Sequence, residues 1–326
     1  MTGESTTHVP ETDATREATA SDVVAHSTRV LAEKSRSFRW ASYFLARPRR
    51  RDAAVLYAVC RLIDDIADET DDDGRARRAL DRLRDELAGR RRPGPLVEAF
   101  VEMSQRRDVR PAYLRELICG VESDLGGVRI ETDEELLRYC YRVAGTVGLL
   151  MCGVLGVDDP RGPAHAIDLG IAMQLTNICR DVVEDARRNR VYLPARRLEE
   201  IGANPERIVD GDFATEVVGS VVDDLLRLAD DYYGSADDGM HYIPTRARLA
   251  IIVASRVYRA HGTRVRRRGV EATADCDEVP LANRVYRVCV ATGKWAAMSG
   301  PWQDGDVVHR KRLHEPLRGL PGVSVD

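Results

Sequence analysis

Two short acidic runs hold the residues best suited to chemistry. One lies within Gln174 to Pro194, QLTNICRDVVEDARRNRVYLP. No Pro interrupts it before Pro194 and its apolar positions recur at helical spacing, so it reads as helix. Asn177, Asp181 and Asp185 then fall at i, i+4 and i+8. Each step of four drifts only about 40° around the axis, so the three share a face. Gln174 joins that stripe one turn earlier, and Arg180 sits beside it. Carboxylate and amide oxygens crowded in a row repel one another unless a cation lies among them. Oxygen-only ligation suits Mg²⁺, which takes one or two carboxylates and completes its shell with water and phosphate oxygens.

The second run is Tyr57 to Asp68, YAVCRLIDDIAD. Asp64 and Asp68 are one turn apart with Asp65 adjacent, and Arg61 and Tyr57 each lie a further turn back. A single run of this kind is ordinarily a solvated helix face. Two of them, each on an otherwise apolar helix and each beside an Arg, suggest a cage that holds several divalent ions against a diphosphate. Asp71, Asp72 and Asp73, by contrast, precede Gly74 and read as an exposed turn.

These runs must be positioned by helices. Apolar residues make up 44% of the 326 residues, enough for a sizeable core, and no stretch alternates as a strand would. Helices are expected from Ser21, over Arg51 to Asp68, and over 75–89, 95–106 and 111–124. Further helices are expected over 133–155, from Pro163 through Asp185, and over 214–233, 244–268 and 280–298. Thr132 and Glu135 form a capping box for the helix over 133–155. Arg47 to Arg51, RPRRR, reads as a solvated basic turn, and 202–212 as a polar link. Gly145 and Gly148 lie one turn apart, so something approaches that face, with Val143 and Ala144, closely. The candidates are a neighbouring helix and a long apolar substrate. Arg187, Arg188, Arg190 and Tyr192 follow the acidic helix directly. They can fold over a bound diphosphate or serve the helix dipole. The expected fold is all-α: one helical domain over 22–298 with a central cavity, a disordered tail over 1–21 and a loosely ordered tail over 299–326.

Net charge is −4 with 31% charged residues, which argues against a nucleic-acid binder. The arginines at 264, 266, 267 and 268 before Gly269 read as a charged helix end with its cap. Seven Cys without a C-x-x-C pair suggest neither a zinc ribbon nor a disulfide framework, and fit a reducing cytoplasm. No apolar signal region opens the chain and no stretch approaches the roughly 18 residues of a membrane span.

YAVCRLIDDIAD, YCYRVAGTVG and QLTNICRDVVEDARRNRVYLP resemble the signature segments of the squalene/phytoene synthase family, and the likeness covers about residues 22 to 298. The resemblance implies an isoprenoid synthase-type bundle that joins two allylic diphosphates head to head with Mg²⁺, for which Mn²⁺ can substitute. On the family pattern the metal ligands are Asp64, Asp68, Asn177, Asp181 and Asp185, with Asp65 nearby. Diphosphate contacts come from Ser35, Arg61, Gln174 and Arg180. Tyr57, Tyr139, Tyr192, Tyr258 and Phe38 match aromatic positions around the reacting carbons. Val143, Ala144 and Gly148 border the substrate tail. The residues implied in catalysis are Tyr57, Arg61, Asp64, Asp68, Tyr139, Asp181 and Asp185.

The flanking words, including DDYYGSADDG, are most similar to the phytoene branch, which ends by proton loss, so no NADPH is expected. The substrate expected is geranylgeranyl diphosphate, giving phytoene through prephytoene diphosphate in carotenoid biosynthesis. The alternative is joining of two C15 units to dehydrosqualene, presqualene diphosphate or squalene. Some family-like proteins without metal ligands act as scaffolds, but both Asp clusters are intact here. Contact with carotenoid-pathway enzymes and peripheral contact with the inner face of the membrane are open partner expectations for a cytoplasmic protein.

Overall fold

The computed structural model describes residues 45–68, 72–211, 215–269 and 309–324. Ser35, Phe38, the tail over 1–21 and the helix expected over 280–298 lie outside the described residues. Those described fold as helices, with one very short strand pairing: α1 Arg47–Asp68, α2 Asp73–Leu87, α3 Pro95–Arg106 and α4 Pro111–Glu122, then β1 Val128–Arg129 and α5 Asp133–Cys140. A π-helical turn, Tyr141–Gly145, links α5 to α6 Thr146–Leu155 without a break. The long α7 Gly162–Arg187 follows, then β2 Arg190–Val191, α8 Ala195–Glu200, α9 Pro205–Val209, α10 Thr215–Asp238 and α11 Thr245–Arg268. The final described element is the 3₁₀ helix Lys311–Leu317.

Helix α7 is the axis of the larger core. Its buried stripe of Ile167, Ile171, Leu175, Ile178 and Val182 follows helical spacing and packs with α5, α10 and the C-terminal segment. Each such aliphatic contributes about 1.5–3 kcal/mol when fully buried. Helix α1 buries Val55, Leu56, Val59, Ile63 and Ala67 in a second core with α2, α3, α4 and part of α6. Asp52 is buried on α1 and paired with Arg107 at 2.6 Å, which fixes α1 against α3. The two acidic runs therefore ride on the neighbouring edges of two cores.

Several local expectations change. Arg47 to Arg51 is not a separate turn but the start of α1, with Pro48 in its first turn, where a missing N–H costs nothing. Asp72 is the N-cap of α2, accepting from Gly74 N at 2.8 Å. Thr132 accepts from Glu135 N at 3.2 Å, while Glu135 reaches back one residue further than the capping box, to Glu131 N at 2.7 Å. The polar link around 202–212 contains α9, and α10 continues through Gly234 to Asp238. Residues 128–129 and 190–191 pair as parallel strands too short to leave an alternation in sequence. Gly269 ends α11 with φ +79°, and Arg266 pairs with Asp223 and Asp230 on α10.

The C-terminal segment departs most from expectation. Its Pro and Gly punctuation suggested a loose tail, yet Leu313, Leu317 and Leu320 are buried in the main core. Tyr232 Oη donates to Leu313 O at 2.7 Å, Tyr141 Oη donates to Pro321 O, and Arg138 Nη1 donates to Pro316 O at 3.0 Å. Three apolar residues and three side-chain clasps hold it where regular winding does not.

Candidate active site

The ends of α1 and α7 enclose a polar cavity of about 430 Å³. Arg61, Asp64 and Asp68 line it from α1, and Asn177, Arg180, Asp181 and Asp185 from α7. Arg188, Arg190 and Tyr192 border it from the segment after α7, and Tyr139 from α5. The two acidic rows thus face one another. The basic segment closes the gap: Arg190 Nη1 is 3.0 Å and Arg188 Nη1 3.8 Å from Asp68 Oδ1. Arg187 is exposed and does not border the cavity.

Burial acts on the carboxylates. Asp64 is pushed up to about 7, chiefly by desolvation, with Asp68 and Asp65 adding to it against the opposing pull of Arg61. Asp185 is likewise pushed up to about 7 by desolvation and by the Asp181 charge. Asn177 Oδ1 is buried and accepts no hydrogen bond. Elevated carboxylates beside an orphaned amide oxygen are what an oxygen-ligated cation corrects. Donors spread around several hundred Å³ suit Mg²⁺ with retained waters and phosphate oxygens rather than a tight chelate. Asp65 stands apart: it does not line the cavity, and its Oδ1 lies 2.5 Å from Arg61 Nη2.

A second, apolar cavity of about 330 Å³ adjoins the first, and Asp64, Gln174 and Asn177 line both. From there it runs along α7 past Gly170 and Ala166 to Gly162, about 22 Å of helix. Tyr57 and Tyr258 line it, as do Val143, Ala144 and Gly148. A Cβ on Gly148 would fall 2.2 Å from the Ala166 carbonyl oxygen, and one on Gly170 2.3 Å from that of Ala144. The close approach expected at Gly148 is therefore to the neighbouring helix α7, and the same face also borders the tunnel. The π-helical turn carries Val143 and Ala144 into this wall, in a conformation often found at functional sites.

No sequence pattern singles out Asp124. It sits in the turn after α4 and accepts from Tyr139 Oη at 3.0 Å and Tyr192 Oη at 2.9 Å, whose rings stack at 4.8 Å. Burial pushes its carboxyl up to about 6, and the same burial raises the Tyr139 phenol well above its ordinary value. Glu184 and His261 also border the polar cavity without having been anticipated. A lone carboxylate in a turn carries no periodic signal.

The family model for squalene/phytoene synthase matches residues 31–285. The chain is 39% identical over 317 residues to a 15-cis-phytoene synthase of Paracoccus sp. (strain N81106 / MBIC 01143), covering 94% of this chain and 96% of that protein. It is 35% identical over 271 residues to a 15-cis-phytoene synthase of Enterobacter agglomerans, covering 80% and 92%. In fold it is similar to a dehydrosqualene synthase solved with a ligand, with a TM-score of 0.74 at 24% identity over 85% of this chain and 98% of that one.

Proposed function

The chain belongs to the squalene/phytoene synthase family, and from that premise we propose that it joins two geranylgeranyl diphosphates head to head, through prephytoene diphosphate, to phytoene, with release of diphosphate. The observation that carries this reading is the continuity of a charged cavity with an apolar tunnel through Asp64, Gln174 and Asn177. A diphosphate head and a prenyl tail need those two environments at one junction.

In this reading Asp64, Asp68, Asn177, Asp181 and Asp185 hold Mg²⁺, or Mn²⁺ in its place. A cation held there would supply positive charge to offset that of the departing diphosphate. Arg61, Arg180, Arg188 and Arg190 add fixed positive charge around the same cavity, where low dielectric strengthens it. Tyr57 and Tyr258 border the tunnel that Asp64 also lines, and aromatic rings there are suited to stabilise an allylic cation. The apolar wall keeps water from that cation until the second alkene attacks it. The sequence ends by proton loss, so no NADPH enters. Among the described residues no helix is long and apolar enough to cross a membrane. Peripheral membrane contact is part of the same proposal, because substrate tails and product are lipid.

Purified protein given geranylgeranyl diphosphate and Mg²⁺ without NADPH is expected to form a C40 hydrocarbon with a central triene. Consumption of farnesyl diphosphate alone would overturn the substrate assignment.

A further inference from the structure

Away from the acidic cavity, the C-terminal segment places two imidazoles on one carboxylate of α7. Asp168 Oδ2 lies 2.8 Å from His309 Nε2, and its Oδ1 lies 2.9 Å from His314 Nε2. Ser235 Oγ on α10 donates to the same Oδ2 at 2.6 Å. Asp168 and His314 are fully buried, and His309 nearly so. Asp168 precedes Asn177 by nine residues. That is about 13 Å along the helix, and Asp168 borders neither cavity.

Hydrogen bonding within the cluster does not satisfy it. His165, one turn before Asp168, is buried, with its ring 5.1 Å from that of His309. Its Nδ1 lies 2.6 Å from the Ser235 carbonyl oxygen, which can only accept, so Nδ1 carries the proton. With the proton on Nδ1, the other nitrogen of the neutral ring, Nε2, is an acceptor. That atom is buried without a hydrogen-bond partner, and so is His314 Nδ1. The Ser235 hydroxyl orients the Asp168 carboxylate as outer-shell hydrogen bonds do around protein metal sites.

We propose that Asp168, His309 and His314 form a binding site for a divalent transition cation, zinc by its donor set, which fastens the C-terminal segment to α7. Two imidazoles and one carboxylate favour zinc over Mg²⁺, which prefers oxygens alone. The three ligand atoms already lie within 4.8 Å of one another. Tetrahedral zinc with bonds near 2.0 Å sets its donors about 3.3 Å apart, so the two imidazole–carboxylate contacts at 2.8 and 2.9 Å would each open by about half an ångström. The rings would then carry their protons on Nδ1, and water would take the fourth position. The ion ties together α7, α10 through Ser235, and the segment that reaches Tyr141 and Tyr232.

This site stands or falls independently of the reaction. Full-length protein, stripped with chelator and kept in saturating Mg²⁺ so that oxygen-only sites are occupied, is titrated with Zn²⁺ and then with Co²⁺. One equivalent of Zn²⁺ is expected to remain through gel filtration and to raise Tm. Co²⁺ is expected to give the intense visible absorption of four-coordinate cobalt. His309→Ala and His314→Ala should each weaken zinc binding at least a hundredfold and remove the cobalt band, whereas Asp181→Ala should keep both. Should His314→Ala fail to fold, the partly accessible His309→Ala decides alone. Absence of a cobalt band in the wild-type protein, or equal zinc retention by His309→Ala, would overturn the site and leave a hydrogen-bonded clasp only.

Discussion

Arg190 Nη1 lies 3.0 Å from Asp68 Oδ1, joining the last turn of α1 to the strand that follows α7. The parallel pairing of Arg190 with Val128 fixes the main chain beneath that contact. The guanidinium thereby bridges the two helices that carry the acidic rows. Asp68 is about a third exposed, so the pair contributes only about 0–1 kcal/mol to folding. Arg190→Ala is expected to leave Tm nearly unchanged while lowering kcat/KM at least about tenfold, roughly 1.4 kcal/mol of transition-state stabilisation. Arg190→Lys should recover part of the loss. Steady-state kinetics beside a thermal melt separate the two effects.

Asp124 is a different case, because two phenols depend on it. Asp124→Ala leaves the buried Tyr139 and Tyr192 hydroxyls without their acceptor. Each orphaned group costs about 1–3 kcal/mol, so urea unfolding should show a loss of about 2–6 kcal/mol. Asp124→Asn keeps an acceptor oxygen and should lose less than half of that. Equal stability of the alanine variant and the wild type would mean that the tyrosines find other partners.

Stability of the metal-free protein should depend on pH through Asp64 and Asp185. Both stand near 7 in the fold, above the unfolded value of about 4. The unfolded chain therefore releases these protons first as pH rises, and stability falls between about pH 4 and 7, then levels off. Asp64→Asn removes its share of that slope. Its Tm advantage over the wild type should be larger at pH 7.5 than at pH 5, and saturating Mg²⁺ should erase it. An advantage that shrinks with rising pH would contradict the burial of this carboxylate.

The tunnel wall can be altered in two ways with different outcomes. Gly170→Ala drives a methyl into the Ala144 carbonyl and should destabilise the fold by about 1–3 kcal/mol, seen as a lower Tm. Ala166→Leu puts bulk where the tunnel passes along α7 and should turn substrate preference toward a shorter prenyl diphosphate. Competition between C20 and C15 substrates reads that preference directly.

Much of this was legible because helical spacing is a local signal. The rows at 64, 68 and at 177, 181, 185 share faces by arithmetic alone, and the helices that carry them form where the apolar pattern runs. Gly148 announced a close approach without naming the neighbour. What escaped was set by tertiary contact. Asp124 gains its meaning from Tyr139 and Tyr192, which lie 15 and 68 residues away. Asp168 meets His309 and His314 across 141 and 146 residues. The packing of Leu313, Leu317 and Leu320 lay hidden because Pro316, Gly319 and Pro321 break any periodicity. Asp65 shared the acidic run but is drawn to Arg61 instead.

The wide turn at Tyr141–Gly145 spends one more residue than regular winding requires. Deleting a single residue there would rotate everything upstream by about 100° relative to everything downstream. Tyr139 would swing off Asp124 while Val147 and Gly148 kept their place beside α7. One surplus residue thus sets the phase of a single rod, so that its first half serves the charged compartment and its second half the apolar one.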